Sequence, residues 1–271
     1  MQRLLDSLSA DVPPLFEAAL LRDLADAMGR LPAGHAARKL EQMEAYYRRA
    51  LPAYRTADRP FNVLWTQRAM ASVLGEQGRY EETLEPLQAA IAGLQEYEQY
   101  KNEVTWALSE YASDLDSLGR TEEAVAAYEN AIALLPDAAP LYRNRAETLI
   151  HARRLKEAEA DLAHAVQLDE HENSLYLWYR RAQLAIARGD GPQAQQMLNE
   201  VLKRDSSFDV AMLSVQVSWL QGNLQIAQET LQMVWGKANP GERSVIRRDL
   251  ERLFDEHPEI AGRDVLESII Q

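Results

Sequence analysis

Six times along this chain a small or branched residue is followed by an aliphatic or aromatic one, and the pairs fall in step. They are Ala50-Leu51, Ala90-Ile91, Ala131-Ile132, Ala165-Val166, Val201-Leu202 and Val234-Trp235, spaced 40, 41, 34, 36 and 33 residues apart. Three residues ahead of each pair stands a large side chain: Tyr47, Leu87, Tyr128, Leu162, Leu198 and Leu231. Four residues ahead of those come Met43, Thr83, Ala124, Ala158, Ala194 and Ala227. Twelve residues ahead of the last five pairs stand Gly78, Gly119, Arg153, Gly189 and Gly222. Columns held in phase over periods of this size mean a repeat array.

Steps of four and three residues place the first three columns on one face of a helix. Alanine on that face lets a neighbouring helix approach closely, and the large residue beside it fills the remaining space. Glycine suits the left-handed turn that ends one helix and lets the next fold back antiparallel. Arg153 departs from the column. Either its turn differs, or an arginine there bears a left-handed penalty of roughly 1 kcal/mol. Composition agrees with helices. Only 12 glycines and 11 prolines punctuate 271 residues, few for an all-β chain, and 46% hydrophobic residues suffice for a core.

These columns resemble the tetratricopeptide repeat, a helix–turn–helix unit. The best copy runs from Thr105 to Ala138, with Leu108, Tyr111, Ala112 and Leu115 on its first helix and Gly119, Ala124, Tyr128, Ala131 and Pro136 following in the family's places. LYRNRAETLI (Leu141–Ile150) and LWYRRAQLAI (Leu177–Ile186) are similar to its first helices. The resemblance covers Phe61 to Pro240 and implies an all-α, right-handed superhelical solenoid of antiparallel helix pairs. About six pairs and a C-terminal capping helix are expected, with no strands. A HEAT-like array or an unrelated bundle is the alternative.

The chain divides into N-terminal helices and a divergent first repeat (1–56), the repeat array (57–238) and C-terminal capping helices (239–271), as one continuous solenoid. A first helix should follow Pro13-Pro14, and its partner should run from about Gly34 to Tyr54. The helix of the next unit is expected to continue through IAGLQEYEQYKN. These long N-terminal periods look like those of arrays attached to signal-transduction ATPases, although no GxxxxGK[ST] loop occurs. ERSVIRRDLERLFDEH reads as a solvating cap. A last helix near Arg263–Ile270 either docks back or is a sticky end.

The net charge of −13 argues against broad nucleic-acid binding. It is uneven. Residues 76–130 hold thirteen acids against Arg79, Lys101 and Arg120, a net of −10, whereas residues 140–156 hold five bases against Glu147, a net of +4. There is no cysteine, which removes disulfides and thiolate chemistry. No apolar run is long enough for a signal peptide or a membrane span, so a soluble cytoplasmic protein is expected.

Chemistry finds little support. His35, His151, His164, His171 and His257 are scattered and read as surface histidines, with no metal or other cofactor implied. Glu81-Glu82 and Glu122-Glu123 suit helix starts, and Arg188-Gly189-Asp190 reads as a turn. Trp178, Trp219 and Trp235 read as packing residues, while Trp65 and Trp106 divide evenly between core and ligand contact.

The expected function is therefore a non-enzymatic protein–protein interaction scaffold or sensor. A regulatory module of a signalling ATPase or effector enzyme is the alternative, with a nucleic-acid reader behind it. The resemblance places four positions of each first helix on a concave groove: Arg143, Asn144 and Glu147 in one unit, Tyr176, Tyr179, Arg180 and Gln183 in the next, with Trp106, Ser109 and Ser113 before them. A protein or peptide partner is expected there, acidic or phosphorylated, because arginine forks suit such groups and tyrosine gives contact area at low entropy cost. The family's chaperone-tail clamp does not fit. Of Ser109, Ser113, Asn144, Tyr176 and Arg180 at the clamp positions, only Asn144 and Arg180 match. Arg145 and Arg181 fall where the family uses arginine structurally.

Overall fold

The computed structural model describes residues 13–29, 36–168, 175–238 and 240–270. Among them are fourteen α-helices and no strand. One compact unit, Met1–Arg120, holds α1 (Pro14–Gly29), α2 (Ala36–Thr56), α3 (Pro60–Glu76), α4 (Tyr80–Leu94) and α5 (Lys101–Ser117). A second, Thr121–Gln271, holds α6 (Thr121–Leu134), α7 (Ala139–His151), α8 (Leu155–Leu168), α9 (Leu175–Ala187), α10 (Gly191–Leu202), α11 (Phe208–Leu220), α12 (Leu224–Lys237), α13 (Pro240–Glu256) and α14 (Arg263–Ile270). The first twelve alternate as first and second helices of six repeats.

The repeat columns are the core. Ala50, Ala90, Ala131, Ala165, Val201 and Val234 are all buried, as are all six large residues ahead of them and all six residues of the column before that. The second member is also buried in the first pair, at Leu51, but faces outward more freely in the others, and Leu202 is 48% exposed. Each first helix packs on its own second helix and each second helix on the next first helix within a unit, as α3 does on α4 and α4 on α5. Fully burying one leucine of such a column contributes about 1.5–3 kcal/mol.

The turns follow the glycine column. Gly78, Gly119, Gly189 and Gly222 have φ of 73°, 75°, 73° and 75°. Arg153 shares that conformation at φ 59°. Its turn is closed like the glycine ones, by Arg154 N–H on the Leu149 carbonyl just as Arg120 N–H bonds Leu115, so the arginine does bear the left-handed strain. Its side chain offsets it. Arg153 Nη1 donates to the Ala187 carbonyl at 2.6 Å and lies 3.1 Å from the Glu256 carboxylate.

Some expectations change. α4 stops at Leu94, the last buried residue of its face, rather than running through residue 102. The chain then forms one 3-10 turn, Glu98–Tyr100, and α5 begins at Lys101, ahead of Thr105. Tyr100 leaves the helical path to stack on Phe61 at 4.9 Å. α2 extends to Thr56. Gly34, the expected start of that helix, lies outside the described residues, as do His35 and His171. Among those described, His257 is not a surface histidine, being only 5% exposed.

The C-terminal helices do more than cover an end. α13 buries Ile246, Leu250, Leu253 and Phe254 in the same cluster as α9 to α12, with Phe254 edge-on to Trp219 at 5.1 Å. α14 docks back on α12 through Leu266 and Ile270, and Arg247 donates to the Ile270 carbonyl at 3.0 and 2.9 Å. No described helix is long and apolar enough to cross a membrane.

Candidate functional site

In LYLWYRRAQLAIA (α9), Leu177, Ala182 and Leu184–Ala187 take the buried face. Helical spacing then turns Tyr176, Tyr179, Arg180 and Gln183 to one side, where α13 passes. The end of α13 is held there by the last carbonyls of α9, which keep acceptor capacity at the helix C-terminus. His257 Nε2 lies 2.8 Å from the Ile186 carbonyl, and Arg153 takes that of Ala187. Between α7, α9, α11 and α13 remains a cleft of about 280 Å³.

Five carboxylates meet three guanidiniums in this cleft: Glu147, Asp205, Asp209, Asp249 and Glu256 against Arg180, Arg248 and Arg252. Most are engaged. Arg180 grips Glu147 through both terminal nitrogens at 2.5 Å, reaches Gln183 at 2.7 Å, and lies over the Tyr179 ring at 5.4 Å. Glu256 pairs with Arg153, Arg248 approaches Asp249 at 3.5 Å, and Asp205 accepts from the Ser207 N–H and hydroxyl. Asp209, Arg252 and the Tyr179 hydroxyl make no hydrogen bond or ion pair among the described residues. Desolvation raises the Asp209 and Asp249 carboxyls above their ordinary value, against the pull of Arg180 on the first and Arg248 on the second. Desolvation likewise raises the Tyr179 phenol, so it is a neutral donor at any working pH.

Of the sequence-derived site, Glu147, Tyr176, Tyr179, Arg180 and Gln183 line the cleft. Arg143 and Asn144 lie on α7 outside it, each half-buried. Trp106, Ser109 and Ser113 belong to α5 in the first unit. Trp106 is 37% exposed, Ser109 is buried and Ser113 is exposed. Sequence reasoning missed Asp209, His151 and the α13 residues. Asp209 and Gln216 were within reach, since they occupy on α11 the second and ninth places that Tyr176 and Gln183 occupy on α9. Arg248, Asp249 and Arg252 were not, because α13 lies outside the repeat.

Neighbouring residues act structurally. Arg145 binds Asp161 through two 2.7 Å bonds and Arg181 covers Trp178, as expected of that column. His164 packs edge-on against Tyr142. Asp190 caps α10 by accepting from Gln193 N–H at 3.0 Å. No group of three or more metal-ligating side chains is gathered among the described residues.

No family model and no curated protein sequence matches the chain. Solved structures do. A tetratricopeptide repeat protein from Parabacteroides merdae is 16% identical with a TM-score of 0.58, over 94% of this chain and 97% of that one. PilW, a type IV pilus biogenesis factor, is 16% identical with a TM-score of 0.56 over 84% and 98%. BtubC from P. vanneervenii is 18% identical with a TM-score of 0.56 over 78% and 92%. At such identity the likeness speaks to architecture, and the architecture is the tetratricopeptide-type all-α solenoid.

Proposed function

We propose that the chain is a non-enzymatic protein–protein interaction scaffold that takes a segment of a partner protein in the cleft between α7, α9, α11 and α13. The observation that carries this reading is Tyr176, 67% exposed at the mouth of a cleft whose Tyr179, Asp209 and Arg252 still have hydrogen-bonding capacity. Tyrosine offers rigid contact area at low entropic cost. An acidic or phosphorylated side chain of the partner would land on Arg252 rather than Arg180, whose fork already holds Glu147. Charge reversal at Arg180 would therefore disrupt folding as well as binding, by setting two carboxylates together.

The test is capture of the partner by the purified chain, identification by mass spectrometry, and titration against Tyr176→Ala with Arg252→Ala. Neither side chain is part of the core, so the melting temperature should hold while affinity falls at least tenfold. Unchanged affinity would move the partner out of the cleft. Turnover that depends on one acid or histidine would overturn the non-enzymatic reading.

A further inference from the structure

The six residues joining α4 to α5 put two tyrosines onto the start of α3. Tyr100 lies 4.9 Å from Phe61 at 27°, Tyr97 lies 6.0 Å from Tyr100 at 64°, and Phe61 lies 6.3 Å from Trp65 at 24°. Four rings thus form a continuous ladder within the first unit. Such a ladder belongs in a core, yet Phe61, Trp65 and Tyr97 are 38%, 40% and 43% exposed. Contiguous exposed apolar surface of this kind marks an interaction site. Beside Trp65 is a small hollow of about 190 Å³ walled by Arg68 and Glu110.

The surroundings select the partner. From residue 95 to 110 the sequence offers Glu96, Glu98, Glu103 and Glu110 against Lys101 as the one base. Lys101 stands 3.9 Å from Glu98, and Arg68 is held by Glu110 through bonds of 2.9 and 2.6 Å. Elsewhere this chain covers several aromatic faces with its own arginines: Arg243 and Arg247 over Trp235 at 4.9 and 5.2 Å, Arg263 over Phe254 at 5.3 Å. Among the described residues no such cation covers Phe61, Trp65, Tyr97 or Tyr100.

We propose that this ladder is a second interaction surface, separate from the cleft, that receives an arginine-bearing segment of a partner protein. The guanidinium stacks on the ring faces while its N–H groups reach the bordering glutamates. Arginine fits better than lysine because its plane matches the rings and it is more weakly hydrated. An acidic segment would be repelled by Glu96, Glu98 and Glu103, which outnumber Lys101 here.

The test uses a capped octapeptide of alternating arginine and glycine, titrated into the full chain while the five indole N–H resonances are followed by NMR. The expected result is a saturable shift of the Trp65 indole, at least threefold tighter than with the lysine analogue and absent with the glutamate analogue. Tyr97→Ser with Tyr100→Ser should weaken it at least fivefold. Glu96→Lys with Glu98→Lys, at exposed positions that cannot unfold the chain, should do the same. Tyr176→Ala with Arg252→Ala should leave it unchanged, which separates this surface from the cleft. Binding that ignores both ladder variants, or that moves indoles other than Trp65, would be general attraction to an acidic protein and would overturn the proposal.

Discussion

At the scale of single residues, Arg153 and Asp114 each hold a position that costs free energy. Arg153→Gly would relieve about 1 kcal/mol of left-handed strain, but a charged hydrogen bond is worth about 1.5–3 kcal/mol, and the Ala187 and Glu256 contacts go with the side chain. A net destabilisation of about 1 kcal/mol is expected in chemical denaturation; a more stable variant would mean the clamp contributes less than the strain. Asp114 is half-buried beside Thr83, whose hydroxyl donates to it, and desolvation, aided by Glu110, raises its carboxyl to about 6 from 3.8. The folded state therefore holds this proton more tightly than the unfolded one. The group favours folding below pH 4 and opposes it increasingly as pH rises through 6, by up to about 3 kcal/mol. Asp114→Asn keeps an acceptor for Thr83 and should stabilise at pH 7 with little change at pH 4. A gain equal at both would exclude the charge as the cause. The glycine column was legible in the sequence because it is local. What excuses Arg153 was not, because its partners come from α9 and α13.

Helices repeat the lesson. A large residue flanked four before and three after by mostly small ones fixed the buried face of every second helix, and Ala165→Leu should overpack the α7–α8 crossing at a cost of about 1–3 kcal/mol. An unchanged melting temperature would refute the close approach. Glycine is a weaker guide. From sequence, Gly119→Val should cost more than Gly93→Val, since only Gly119 is left-handed. But a Cβ at Gly93 would come within 2.9 Å of Leu64, so that substitution is costly too and the comparison loses its force. The end of α4 was misread because helical propensity continues past Leu94, whereas stacking on Phe61, a tertiary contact, takes Tyr100 out of the helix. α13 was read as a cap from its charged outer stripe. Its return to α9 depends on His257, buried where composition suggests surface. His257→Ala should remove a buried side chain and one of the two hydrogen bonds to the Ile186 carbonyl, which keeps the Gly189 N–H, cost about 1 kcal/mol, and speed amide exchange at the end of α9.

Taken whole, the chain is two compact units of one repeating design, with a proposed partner surface in each: the aromatic ladder of the first and the cleft of the second. The fold was legible because it is written six times. Half of the cleft was legible because the first helices of a repeat present equivalent places, and the half supplied by α13 was not, since nothing repeats there. The central claim is that the cleft is where a partner binds. Hydrogen–deuterium exchange of the purified chain with its captured partner tests it most directly. Protection of α9 from Tyr176 to Gln183, the start of α11 at Asp209 and the α13 segment around Asp249 and Arg252 is the result expected. Protection that leaves these three segments unchanged while another face slows would contradict it.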